Sequence, residues 1–283
     1  MRELTLDDLW AIQELSDSMD MLNDPKIGSI ARVLIRDSEC YLFGAFKDEV
    51  LVGVGGLRNK GTNLAWIEDI RVHGDYQKTG IGTELFRYGE RIAKEQGYHR
   101  VGYQTVTENA GSCKIGRNLG FQRKHEMIAF FALPENLLGS DDTKYELEPI
   151  SIEEALLLLG RIPNGPKEII CIGWSYAPIE LDYFYNQPDM KFYGLNETIM
   201  LEFDDRDVNT NAVVVVKAML YGAKSGVGKL LAGFISRNTE RGLPLIFLCP
   251  ENLVPDTLPS GFQYSTVWNG KHNIVVLFTK DLR

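Results

Sequence analysis

The feature that most restricts the fold of this chain is that it repeats itself once. Ile150-Ser151-Ile152-Glu153-Glu154 follows the pattern of Leu4-Thr5-Leu6-Asp7-Asp8. The same offset, carried forward without a gap, lays Lys224-Ser225-Gly226-Val227-Gly228 on Lys78-Thr79-Gly80-Ile81-Gly82. Two distant matches at one offset point to two copies of one plan. Beyond the second loop, Leu230, Leu231, Phe234 and Ile235 make an amphipathic helix, Leu245–Cys249 reads as the next strand, and Gly261-Phe262-Gln263 echoes Gly120-Phe121-Gln122. A chain of 283 residues is long for one domain and fits two at about 150 residues each. We therefore expect a first domain over residues 1–133, a polar linker over 134–144 carrying Gly139-Ser140-Asp141-Asp142, and a second domain over 145–283.

Within the first copy, Gln77-Lys78-Thr79-Gly80-Ile81-Gly82 lies between a predicted strand over 66–72 and an amphipathic helix expected from Thr83. Glycines there let a ligand approach the backbone, and the N–H groups at a helix start have no intrahelical partner, so the loop suits an anion such as a diphosphate. Gly-x-Gly also occurs in ordinary turns, and on the residues alone that reading stays open. The helix places Leu85, Phe86, Gly89, Ile92 and Ala93 on one face and ends at Gly97. A strand over 101–105 follows, then Glu108-Asn109 and Leu119-Gly120-Phe121.

This order of strand, Gln-x-x-Gly-x-Gly loop, helix, strand, Asn, short helix and Gly-Phe resembles the GNAT superfamily of acyl-CoA N-acyltransferases, and the likeness runs from about Arg2 to Leu133. It implies an α/β fold with a mixed (α+β) sheet whose two central strands part to admit pantetheine, here as tandem GNAT-like domains. It further implies acetyl-CoA as cosubstrate, with Ile70, Arg71 and Val72 offering backbone groups to pantetheine. Gln77, Lys78, Thr79, Gly80, Ile81, Gly82 and Thr83 would surround the pyrophosphate, and Asn109 would lie near the pantetheine. Asn109 also reads as a turn or helix cap, and both roles are compatible. One departure stands out: the family often carries a tyrosine four residues before the Gly of Gly-Phe, placed to protonate the leaving thiolate, and this chain has Gly116 there. Cys113, Tyr103 or water are the substitutes in view.

Acetyl transfer to a primary amine needs the neutral amine, which for a lysine-like group costs roughly 4 kcal/mol at pH 7. A carboxylate, directly or through water, can take the proton. Glu68 is the candidate, because in a regular strand residues 66, 68, 70 and 72 share a face, and Asp69 faces the other way; a bulge would exchange their roles. The alternative for Glu68 is a solvated carboxylate. In the second copy Val214 replaces Glu68 and Ala223 replaces Gln77, and Val213-Val214-Val215-Val216 is apolar on both faces, which suits burial. That copy reads as degenerate, and its Gly222–Lys229 stretch misses the P-loop spacing by one residue.

The net charge of -9 argues against wrapping nucleic acid. Cys40, Cys113, Cys171 and Cys249 and the four histidines are scattered without ligand spacing, so no metal is expected. No signal or membrane-length apolar run is read, which leads us to expect a soluble cytoplasmic protein. Trp174, Tyr176, Tyr183, Phe184, Tyr185 and Phe192 read as packing aromatics, with a wall of the acceptor pocket as the lesser alternative. The partner expected is a small-molecule or peptide amine acceptor, and a homodimer is conceivable. Against an N-acetyltransferase stands a non-catalytic acyl-CoA-binding sensor, motivated by Gly116 and the degenerate copy.

Overall fold

The structure is a computed structural model, and it describes all residues except 20–26, 62, 138–144, 164, 173–175, 208, 266–273 and 283. The first half contains β1 (Arg2–Glu3), α1 (Leu9–Asp17), α2 (Ile27–Arg36), β2 (Cys40–Lys47), β3 (Val50–Asn59), β4 (Leu64–Val72), α3 (Ile81–Glu95), β5 (Arg100–Val106), α4 (Ala110–Asn118), β6 (Gln122–Ala132) and the single turn α5 (Pro134–Leu137). The second half contains α6 (Ile152–Arg161), β7 (Ile169–Cys171), β8 (Tyr176–Pro178), α7 (Leu181–Tyr185), β9 (Lys191–Leu195), β10 (Thr198–Arg206), β11 (Val213–Gly222), α8 (Lys224–Asn238), β12 (Leu245–Cys249), β13 (Gln263–Tyr264) and β14 (Ile274–Asp281). The order repeats, with a hairpin, a third strand, a long helix and a parallel strand in each half; Lys224–Gly228, read from the sequence as a loop, forms the first turn of α8.

Local chemistry explains the shared elements. The β2–β3 turn places Asp48 and Glu49 at φ 49° and 67°, and the β9–β10 turn places Asn196 and Glu197 at 49° and 61°, the left-handed pair that joins two twisted strands through two residues. Helix α3 buries Leu85, Phe86, Gly89, Ile92 and Ala93 as predicted, and stops where Gly97 turns left-handed at φ 85° and Tyr98 N reaches back to the Ala93 carbonyl. Thr5 and Asp8 form a reciprocal capping box, and Ser151 Oγ accepts from Glu154 N at 3.2 Å at the matching place in the second copy.

The compact units do not follow the linear division at 133 and 144. One unit comprises Met1–Thr105, Asn109–Lys124 and Leu277–Arg283; the other comprises Val106–Glu108 and His125–Val276. The end of the chain thus belongs with the first copy. Phe278 stacks on Tyr103 with ring centroids 4.9 Å apart, Lys280 Nζ reaches Glu90 Oε2 at 2.7 Å, and Leu282 N donates to the His99 carbonyl at 2.8 Å. Conversely, β6 runs antiparallel to β12, pairing Leu245 with Ala132 and Cys249 with Ile128. Alternating apolar residues declare a strand without declaring which neighbour it joins, so the exchange is invisible in sequence. The predicted linker is also partly ordered structure: Pro134–Leu137 is a helical turn whose Leu137 is buried in the core of the second unit, and 138–144 lie outside the described residues.

In the first unit, Leu4, Ile12, Leu15, Ile27, Ala31, Leu34, Leu42, Leu51 and Val54 form one core beneath α1 and α2. In the second, Phe130, Phe247 and Phe262 pack with α8 through Leu230, Leu231 and Phe234. Of the aromatics expected to pack, Tyr176, Phe184 and Phe192 are buried, Tyr185 is exposed, and Trp174 lies outside the described residues. Strand β11 corrects one expectation. Val214 is 46% exposed, because pairing with β12 begins only at Val216, opposite Leu245.

Candidate functional site

Strands β4 and β5 run parallel and pair from Leu64 with Arg100 to Ile67 with Tyr103, and no further. Both continue, to Val72 and Val106, so the sheet opens between them. The cause is a bulge. On β3, Gly56 opposes Glu68 and Val54 opposes Arg71, so two residues of β4, Asp69 and Ile70, stand against Gly55 alone, and Asp69 takes φ 54°. Two parallel strands that stop pairing with each other leave room between them for an extended chain.

The bulge overturns the expected parity of β4. Glu68 and Arg71 lie on the face of Gly56 and Val54, toward α1 and α2, whereas Ile67 and Val72 lie on the face of Leu57 and Gly53, toward α3. Ile70 belongs with Val72, since its Cδ1 lies against Gly55 beside Phe43. Arg71 Nη1 donates to the Ile70 carbonyl at 3.1 Å, so one of the backbone groups expected to meet pantetheine is engaged by the neighbouring side chain.

Next along the chain, residues 77–80 form an exposed loop ahead of α3, which starts at Ile81, two residues earlier than the sequence suggests. Lys78 and Gly80 are both left-handed, at φ 62° and 101°, and no side chain caps the helix. Glu84 N makes the first helical bond, to the Gly80 carbonyl, so the amides of Ile81, Gly82 and Thr83 open the helix without an i−4 partner. The two glycines serve different needs. Gly80 has open space around it and is required by its backbone angle, while a Cβ on Gly82 would press to 3.3 Å from Ile115 of α4. Thr79 Oγ1 donates to the Tyr76 carbonyl at 2.6 Å, which ties the loop to itself. Gln77 and Lys78 remain exposed. The uncapped amides and the positive helix end suit the diphosphate of a nucleotide carrier.

Asn109 caps α4, with Oδ1 accepting from Ser112 N at 3.1 Å. The Gly116 position is explained by Tyr103: a Cβ there would overlap the Tyr103 hydroxyl, which donates to the Ser112 carbonyl at 3.1 Å. Tyr103 is boxed by Phe86, Phe121 and Phe278, and burial pushes its phenol up, with Cys113 adding to the effect. Tyr103 therefore fills the root of the missing tyrosine's space and keeps its proton on a backbone carbonyl.

Glu68 is not a solvated carboxylate. Arg58 Nε donates to Glu68 Oε1 at 2.6 Å, and Arg58 Nη1 donates to Asp37 Oδ2 at 2.5 Å. Burial pushes the nearby Cys40 thiol up to about 12 and the Lys60 ammonium down. Sequence reasoning missed Arg58 and Asp37, which are far apart in the chain. The available signal was a basic residue, followed by Asn59, at the end of the otherwise apolar strand β3, on the same parity as Gly56.

The second copy has the glycines without the opening. A Cβ on Gly226 would overlap the Leu195 carbonyl and Thr198 Oγ1, and one on Gly222 would overlap the Glu197 carbonyl. Ala223 N donates to Glu197 O at 3.1 Å, Thr198 Oγ1 bonds the Ala223 carbonyl, and Lys224 Nζ pairs with Asp256 at 2.5 Å. The β9–β10 turn thus occupies the start of α8. Among the described residues no group of three or more His, Cys, Asp or Glu side chains gathers, and no helix is long and apolar enough to cross a membrane.

Residues 5–121 match the sequence model of the acetyltransferase (GNAT) family. A streptothricin acetyltransferase from Escherichia coli is 32% identical over 85 residues, which cover 30% of this chain and 48% of that enzyme. The match thus spans about half the length of this curated relative. Over whole chains, the fold is similar to a tandem GNAT protein from the clavulanic acid biosynthesis pathway, with TM-score 0.55 and 12% identity over 100% of this chain and 98% of that one. It is also similar to a GCN5-related N-acetyltransferase from Kribbella flavida, with TM-score 0.51 and 12% identity over 99% of this chain and 70% of that one. Residues 5–121 are thus similar to the acetyltransferase (GNAT) family, and the fold of the whole chain is similar to that of a tandem GNAT protein.

Proposed function

We propose that the protein is an N-acetyltransferase that moves an acetyl group from acetyl-CoA to a primary amine by direct attack in a ternary complex. The observation that carries this reading is the opening between β4 and β5 at the Asp69 bulge, followed within one loop by the uncapped start of α3. A slot for an extended arm and a nest for its diphosphate lie in consecutive segments of the chain. In this reading Ile70, Arg71 and Val72 line the arm, residues 77–83 hold the pyrophosphate and Asn109 lies beside the arm. Acetyl-CoA supplies an activated acyl group. The C–N bond forms as the C–S bond breaks, Glu68 takes the amine proton directly or through water, and the thiolate leaves without a phenol at residue 116.

The acceptor is a small-molecule or peptide amine. The net charge of -9 favours a cationic one, and the likeness to a streptothricin acetyltransferase makes streptothricin a first acceptor to try. We place the protein in the cytoplasm, with its four cysteines reduced, no metal and no nucleic-acid partner, and a homodimer as one assembly to look for. The linear division 1–133, 134–144 and 145–283 is our proposal for the two sequence copies; the packing units interleave them.

A second reading, an acyl-CoA-binding sensor, is favoured by Gly116 and by the Arg58 contact on Glu68. Thiol release from acetyl-CoA across a panel of amines separates the two. We expect release that depends on the amine and falls at least about tenfold in Glu68→Gln. Tight acetyl-CoA binding with no amine raising release above hydrolysis would establish the sensor instead.

A further inference from the structure

Arg58 stands between two carboxylates from two other elements. Asp37 directly follows α2, with its backbone N bonded to the Val33 carbonyl, and Glu68 is the last residue of β4 before the bulge. The three side chains are 21%, 32% and 21% exposed for Arg58, Asp37 and Glu68, so this is a shielded cluster rather than a surface pair. The other titratable and charged groups facing it are Cys40 at the start of β2, Lys60 just after β3, and Asp69 in the bulge. A glutamate has three side-chain torsions, and a free one would sample several rotamers across the slot. The planar guanidinium removes that freedom by gripping Oε1, while Asp37 fixes the guanidinium in turn.

We propose that Arg58 is a positioning residue for the transfer reaction: anchored by Asp37, it holds Glu68 Oε1 so that Oε2 is the oxygen that receives the amine proton. The inference rests on the reading of Glu68 as the base. A lysine at 58 would keep the charge but lose the fork that spans both carboxylates. Loss of Arg58 would leave Asp37 and Glu68 facing each other without the cation between them.

The test is a double-mutant cycle on thiol release from acetyl-CoA, with streptothricin and spermidine as the amines. Arg58→Gln is expected to lower kcat about tenfold with the KM for acetyl-CoA within about twofold, Arg58→Lys to recover part of the loss, and Asp37→Asn to show a smaller loss in the same direction. In the Glu68→Gln background, Arg58→Gln should add nothing. If it lowers kcat there by the same factor as in the unsubstituted protein, Arg58 acts independently of Glu68 and the proposal is overturned. An unchanged kcat in Arg58→Gln overturns it as well. An unchanged kcat in Glu68→Gln sinks the base assignment itself, and no release with either amine sinks the enzyme reading beneath both. Should Arg58→Gln lose its folded circular dichroism, Arg58→Lys and Asp37→Asn measured against Glu68→Gln decide the same question.

Discussion

The two glycine motifs, one leading into α3 and one forming the first turn of α8, share Lys-x-Gly-x-Gly and differ in what their own chain does to them. In the first, the amides of Ile81, Gly82 and Thr83 open the helix uncapped behind an exposed loop. In the second, the β9–β10 turn sits on the helix start, with Glu197 O accepting from Ala223 N and Thr198 Oγ1 bonded to the Ala223 carbonyl. The glycines that leave the helix start open in one copy admit a neighbouring turn in the other. A glycine motif therefore reports that something approaches the backbone, and only the packing says what.

The most drastic way to test whether the copies are separate is to shorten the chain. Removing Leu277–Arg283 takes from the first unit the Phe278 stack on Tyr103 and the Lys280 pairing with Glu90. Loss of an inner aromatic alone costs about 3–5 kcal/mol. We expect the shortened protein to lose acetyl-CoA binding by calorimetry and to aggregate. A chain that binds normally without these residues would restore the linear division at 133.

A smaller change separates the two loops directly. Gly80→Asp forces a side chain onto φ 101° and brings a negative charge to the helix start, so acetyl-CoA affinity should fall roughly a hundredfold, about 2–3 kcal/mol. Gly228→Asp, at the counterpart of Gly82 in the second copy, where a Cβ meets nothing within 4 Å, should leave affinity within about twofold. Equal losses in both variants would mean that both loops take the ligand.

The smallest effect concerns the N-caps. In the first copy Asp8 is gripped by Arg2, with bonds of 2.8 and 2.6 Å, whereas Ser151 caps α6 through its hydroxyl alone. The Arg2 bonds pull the Asp8 carboxyl down to about 2, against about 3.9 in an unfolded chain. A lowered carboxylate stabilises above its unfolded value, and that contribution fades as pH falls from about 4 to about 2. Because Arg2 is half exposed, we expect Asp8→Asn to cost about 1–2 kcal/mol at pH 7, with the melting temperatures of variant and parent converging across that window. A constant difference down to pH 2 would show that the effect is not the ionised pair.

Much of the site was legible because it is local. The strand, loop, helix and Gly97 stop follow from periodicity and glycine chemistry over consecutive residues, as does the Asn109 cap. The bulge was foreseen only as an alternative: nothing in Glu68-Asp69-Ile70 announces that Asp69 will turn left-handed, since that depends on Gly55 and Gly56 across the ladder. Arg58, Asp37 and Glu68 meet only after three elements are assembled. Tyr103 and Gly116 are likewise complementary in space, not in sequence.

By itself the sequence determined that the chain carries one plan twice, and where each copy's long helix and the first copy's loop would lie, because helix periodicity, caps and left-handed glycines act over a few neighbouring residues. Tertiary structure alone decided which loop stays open, which face of β4 carries Glu68, and that the last strand completes the first unit. Those outcomes depend on strand pairing and side-chain volume between residues far apart in the chain, and such contacts leave no periodic trace.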